Sequence, residues 1–114
     1  MDDSRIIWKI RSIKPYHDAH NHLLIGQVVN RDEVCLELMC KSFHFGRAVN
    51  RVKDITVGKL AKRILPWTRI EIINELPASF DFQNAKLQAD DKGGINFTDG
   101  SYCCPIVAIK DRHY

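Results

Sequence analysis

Residues 22–45, HLLIGQVVNRDEVCLELMCKSFHF, decide how the rest of the chain is read. Leu23, Ile25 and Val29 alternate with His22, Leu24, Gly26 and Val28, then Asn30, Arg31, Asp32 and Glu33 interrupt the apolar run, and Val34 to Phe45 resumes it. Alternation on both sides of a polar tetrapeptide predicts two long strands joined as a hairpin. In the second strand the apolar face changes sides. Val34, Leu36, Leu38 and Cys40 share one face, whereas Met39, Phe43 and Phe45 lie on the other. A strand that swaps its buried side either bulges or passes from one sheet to another, as at the corners of small barrels. The slip near Cys40 to Ser42 is therefore the local argument for a bent barrel.

Working outward toward the N-terminus, RIIWKIRSI (5–13) places Ile6, Trp8 and Ile10 opposite Arg5, Ile7, Lys9 and Arg11, which fits a first strand. A short amphipathic helix is the competing reading. Lys14 and Pro15 end it, because proline cannot donate to a ladder and pushes the preceding residue out of the helical region. YHDAHN (16–21) is a polar connection.

Downstream, Gly46 to Arg63 reads as an exposed basic connection with one helical turn near Lys59 to Arg63. ILPWTRIEIINEL (64–76) returns to strand character, with Ile70 and Ile72 facing away from Trp67, Glu71 and Ile73, between Pro66 and Pro77. Ala78 to Asp91 is open between a strand carrying Phe80 and Phe82 and a short helix capped by Ser79. After a turn at Asp91 to Gly94, Ile95 and Phe97 lead to Asp99 and Gly100, the strongest hairpin signal in the chain. Ser101 to Ile109 is the return strand, and Pro105 puts it at an edge or beside a bulge.

A chain of 114 residues with 45% hydrophobic and 27% charged residues suits one globular domain, here a core over 1–77 and an extension with a hairpin over 78–114. No window holds the roughly 18 uninterrupted apolar residues of a spanning helix, and Met1 to Arg5 begins acidic rather than basic, so no membrane partner and a cytoplasmic location are expected. Cys35, Cys40, Cys103 and Cys104 form no recognisable disulfide framework and read as reduced thiols.

The strand order, with a long bent hairpin in the middle and a late apolar strand, resembles a small SH3-like or Sm-like barrel. GQVVNRDEVCLELM (26–39) is similar to the first motif of the Sm-like family, where a glycine in the second strand is followed six positions later by an aspartate at the strand turn. Gly26 and Asp32 take those positions. ILPWTRIEII (64–73) looks like the place of the second motif. The chain departs from the pattern at Leu36, where the family has a base-contacting asparagine, and at Trp67 and Thr68, where it has an arginine and a glycine. The resemblance implies a strongly bent sheet and a ring-forming oligomer, and it carries over no RNA site. A second, shorter likeness is to PilZ domains, barrels that bind a cyclic dinucleotide. Arg47 and Arg51 make an RxxxR, and Asp54 to Gly58 looks like DxSxxG, although the two nearly touch and the glycine falls one position early.

Two clusters carry candidate chemistry. Net charge is only +3, but Lys41 to Arg69 is one-sided, with Asp54 as its sole acid. Within it Arg47, Arg51, Lys53, Lys59, Lys62 and Arg63 are the candidate contacts to RNA or another polyanion, with Phe43, Phe45 or Trp67 available to stack on bases. The alternatives are a solvated basic loop balanced by Asp90 and Asp91, or a contact between the basic segment of one subunit and the acidic tail of the next. His17, His20 and His22, with Asp18, have the spacing to meet on zinc or nickel, against the simpler reading of a hydrophilic loop. No paired catalytic carboxylates, phosphate loop or nucleophile elbow is present. The sequence thus predicts a mostly β, non-enzymatic, self-associating module without a cofactor. The alternatives are an assembly protein with no nucleic-acid ligand and a metal-dependent enzyme using the histidines.

Overall fold

The computed structural model describes residues 5–15 and 19–107. These form nine strands in two antiparallel sheets. The first sheet contains β1 (Ile7–Ser12), β2 (Asn21–Arg31), β3 (Cys35–Phe45), β4 (Thr56–Val57), β5 (Ala61–Pro66) and β6 (Ile70–Leu76). β2 and β3 are the hairpin of residues 22–45. β3 pairs with β2 on one side and with β4 and then β5 on the other, while β1 lies between β2 and β6. The second sheet is a meander of β7 (Lys86–Ala89), β8 (Ile95–Thr98) and β9 (Cys103–Val107).

The first sheet is forced to coil by one short connection. β5, which shares the far side of β3 with β4, and β6 lie at opposite edges of the sheet, in a flat sheet four spacings or roughly 19 Å apart. They are also offset along the strands, since Pro66 sits beside Cys35 near the hairpin tip and Ile70 sits beside Ser12. Yet only the 3₁₀ turn Trp67–Arg69 joins them, and at about 2 Å per residue it spans roughly 6 Å. Hydrogen bonds hold both of its ends. The Trp67 N–H donates to the Val34 carbonyl at 3.0 Å and the Trp67 indole Nε1–H to the Asp32 carbonyl at 2.7 Å, tying the turn to the hairpin tip. The Ile13 N–H donates to the Arg69 carbonyl at 2.8 Å, tying it to the end of β1. No ladder joins β5 to β6 among the described residues.

Coiling gives the sheet a concave inner face. Ile10, Leu24, Leu36, Leu38, Cys40 and Leu65 are buried there, with Trp8, Val28, Trp67, Ile70 and Ile73 packed around them. Leu65 of β5 and Ile73 of β6 share this core, as they can only in a curled sheet. Gly26 belongs to the same face opposite Cys40, and a Cβ there would collide with the Met39 carbonyl and the Cys40 backbone. The convex face of β1 to β3 carries Ile7, Leu23, Ile25, Phe43 and Phe45, and the second sheet covers it with Ile95, Phe97, Cys104 and Ile106. Residues 78–107 are therefore one side of a second core.

This corrects the reading of the slip in β3. The β2–β3 register runs unbroken from Asn21↔Phe45 to Val28↔Leu38, and the bulge lies instead in β2, between Val28 and Asn30. The apolar pattern changes sides because both faces are buried, Leu36, Leu38 and Cys40 inside the curl and Phe43 and Phe45 beneath the second sheet. Three local expectations also change. The helical turn of the basic segment is at Val52–Asp54, while Lys59 to Arg63 leads into β5. Pro66 ends β5 instead of beginning a strand. Residues 78–85 are neither strand nor helix, but turns that bury Phe80, Phe82 and Ala85 before β7 begins.

The Asp99 and Gly100 signal does mark the β8–β9 hairpin. Gly100 has φ +97°, and the Asp99 carboxylate accepts the N–H groups of Ser101, Tyr102 and Asp81, each at 2.9 Å. Those bonds hold its carboxyl below the usual carboxylate range. Pro105 lies on an edge strand next to a register shift at Ile95/Asn96.

Candidate functional site

The basic segment begins as a loop pinned at two points. Val49 and Ile55 are buried in the outer core, and the Asp54 carboxylate accepts the N–H groups of Asn50 at 2.9 Å and Arg51 at 3.0 Å. These bonds, with Arg51 and Lys53 nearby, keep the Asp54 carboxyl below its ordinary range. Arg47, Arg51 and Lys53 are exposed on this loop, and Lys59 is exposed where β4 gives way to β5. Arg51 is also within 3.7 Å of Asp54.

The six basic residues do not share one face. In β5 successive side chains alternate, so Lys62 and Arg63 diverge. Lys62 lies on the outer side, opposite Met39, with its Nζ 3.7 Å from Glu37. Arg63 lies opposite Leu38 on the inner side and is half-buried. Phe43 and Phe45 are buried, so neither is available to stack on a base, and Trp67 is engaged with Asp32.

Arg63 joins a cluster absent from the sequence reading. Its Nη2 is 3.4 Å from where a Cβ on Gly58 would be, and the same Cβ would collide with Ser42 Oγ. The guanidinium therefore lies over Gly58, beside buried Ser42 and the Cys40 thiol. Burial pushes that thiol up to about 11, with the guanidinium acting in the opposite direction. His22 and His44 complete the group, their rings stacked at 4.2 Å between centroids and 13° between planes. Ser12 Oγ is 3.2 Å from His22 Nδ1. Burial, then His44, then Arg63 lower the His22 pKa below its ordinary value. The pairings Ser12↔Ile70, His22↔His44 and His44↔Thr56 place the cluster at the end of the coiled sheet away from the hairpin tip.

Only part of the predicted histidine metal site falls within the described residues. His17 and Asp18 lie outside the described residues, His20 is exposed, and His22 is stacked on His44. Among the described residues no three histidine, cysteine or acidic side chains are grouped to hold a metal. All four cysteines are free, and adjacent Cys103 and Cys104 point to opposite faces, one exposed and one buried. Of the two Sm-like positions, Gly26 sits at the close β2–β3 approach. Asp32 closes the hairpin tip, accepting N–H groups from Val34 at 2.8 Å and Cys35 at 2.7 Å, which hold its carboxyl low. No described helix is long and apolar enough to cross a membrane. The chain matches no protein-family model, no curated protein and no solved structure.

Proposed function

We propose that this protein is a non-enzymatic, self-associating module built on a small SH3-like or Sm-like barrel. The supporting observation is the pair of outer strands. Among the described residues β5 and β6 each pair on one side only, and an unpaired strand edge is a template for another chain. Both carry exposed isoleucines, Ile64 at 61% and Ile72 at 46% of their full exposure. Their charges are opposite, with Lys59 and Lys62 on or beside β5 and exposed Glu71 and Glu75 on β6. The basic edge of one copy fits the acidic edge of the next, a head-to-tail contact that gives a ring when its rotation closes. In such an assembly the anchored loops of Arg47, Arg51, Lys53 and Lys59 recur around the particle and offer phosphate contacts to RNA or another polyanion.

Light scattering tests the assembly. A discrete oligomer is expected, and Glu71→Lys with Glu75→Lys, or Ile64→Asp alone, reduces it to monomer. A monomeric wild type at tens of micromolar sinks the reading. Polyanion binding is measured separately, by anisotropy with single-stranded RNA at two salt concentrations. Binding that is insensitive to salt, or unchanged by Lys53→Ala with Lys59→Ala, removes the polyanion from the proposal.

A further inference from the structure

Arg63 poses a problem that self-association does not solve. A guanidinium stays charged at any physiological pH, so drawing it against a protein interior is costly unless an anion or a full set of acceptors compensates. Arg63 is half-buried, and its Nε is a buried nitrogen with no hydrogen-bond partner. The carboxylates of β3 and of the basic loop are engaged elsewhere, Glu37 with Lys62 on the outer side and Asp54 with Arg51 and two backbone N–H groups. No carboxylate among the described residues pairs with Arg63. Its guanidinium has the Cys40 thiol of β3 as a hydrogen-bond partner and lies beside Ser42 of β3 and Gly58 after β4; one same-face position along from Ser42 come His44 and, stacked on it, His22 of β2, with Ser12 of β1 beside His22.

The surroundings therefore hold an arginine, two imidazoles, the hydroxyls of Ser42 and Ser12 and the Cys40 thiol, and no carboxylate among the described residues. Such a set offers several donors and a surplus of positive charge at one place, which suits a tetrahedral oxyanion with many acceptor lone pairs. We propose that this end of the inner face binds a phosphate-type dianion, held by the guanidinium of Arg63 and the imidazoles of His22 and His44. The site is separate from the exposed loop of Arg47, Arg51 and Lys53, and it stands whether or not the chain self-associates.

Binding would also reverse the local electrostatics. The protonated form of His22 is disfavoured by burial first, and then by His44 and Arg63. A dianion between these groups favours it, so binding takes up protons, and affinity rises as pH falls from 7.5 toward 6. Glycine at position 58 belongs to the same arrangement, because a side chain there would occupy the space between Ser42 and the guanidinium.

The test is a titration of the full chain with inorganic phosphate in a phosphate-free buffer, followed through the imidazole signals of His22 and His44 by NMR. A 5′-nucleoside monophosphate in a parallel arm distinguishes a phosphate monoester from the free ion, and chloride at matched ionic strength is the control. Saturable binding that raises the His22 pKa and weakens by about tenfold or more in Arg63→Gln supports the site. If Arg63→Gln does not fold, Arg63→Lys keeps the charge without the planar fork, and His44→Gln alters an exposed residue. Each should weaken phosphate binding severalfold. No saturable response of the wild type up to tens of millimolar phosphate overturns the proposal, as does binding that these variants leave unchanged. Light scattering on the same samples keeps the result separate from assembly.

Discussion

The two cores of this protein are built from different residues. Inside the coiled sheet the fully buried side chains are Ile10, Leu24, Leu36, Leu38 and Cys40, none of them aromatic, with Trp8 and Trp67 kept to the margin. Between the two sheets they include Phe43, Phe80, Phe82 and Phe97. There the rings form a chain of edge contacts, Phe43 to Phe97 at 4.9 Å, Phe97 to Phe80 at 5.7 Å and Phe80 to Tyr102 at 5.3 Å. Edge-to-face pairs at these separations add stabilisation beyond the area they bury. A tightly curled sheet converges on little space, which branched aliphatic side chains and a glycine fill. Two sheets stacked face to face leave a slab about 10 Å thick that accepts whole rings.

Removing one residue from each core tests that contrast most strongly. Phe97→Ala deletes the ring at the centre of the aromatic chain and should cost about 3–5 kcal/mol, while Leu38→Ala in the curl should cost about 2–5 kcal/mol. Both are measured by urea unfolding. A single transition in each variant is expected, because β1 to β3 contribute to both cores. A Phe97→Ala variant in which the second sheet loses hydrogen-exchange protection while the first keeps it would break the idea that the cores stand together.

A smaller effect probes the connection that sets the curl. Trp67→Phe retains an aromatic side chain but loses the bond from the indole to the Asp32 carbonyl, and should cost about 0.5–1.5 kcal/mol in the same assay. A neutral result would mean that the Trp67 and Arg69 backbone bonds suffice.

The smallest effect is electrostatic and belongs to the end of the inner face away from the hairpin tip. His22 has a folded-state pKa below its unfolded value. Near pH 7.5 it is neutral in both states. As pH falls through about 6.5 the unfolded chain takes up the proton first, so the folded state loses stability until its own lower pKa is passed. His22→Gln should lose less stability than the wild type between pH 7.5 and 5.5, in buffer free of phosphate. A steeper loss in the variant would contradict the direction of the shift.

Much of the β architecture is legible in the sequence because it rests on local signals. Alternation around Asn30 to Glu33 marks the hairpin, Pro15 marks the end of the first strand region, and Asp99 with Gly100 marks the last turn. The rest depends on contacts that alternation cannot report. A strand with one wet face shows its buried side, but β3 buries opposite faces in its two halves and so mimics a bulge. Phe80 and Phe82 are buried from turns, where no periodicity operates. The candidate site was obscured in the same way. Lys62 and Arg63 are neighbours in a basic run, and only the alternation of β5 sends one outward to Glu37 and the other inward over Gly58 and Ser42. His22 and His44 are distant in sequence and meet through the β2–β3 register.

The pairing of β6 with β1 bears on the order in which the protein can assemble as it is made. Ile7 pairs with Leu76 and Ser12 with Ile70, so β1 waits for a neighbour that is made only after β2 to β5. β1, β2 and β3 can form a meander early, but Ile10, Leu24 and Leu38 lack the wall supplied by Ile70 and Ile73 until β6 has been made. Long-range pairings of this kind slow folding, since the loop must close before its contacts are gained. A nascent chain ending before β6 therefore exposes an apolar trough, and the residues that cover the opposite face, Phe80 to Ile106, arrive later still.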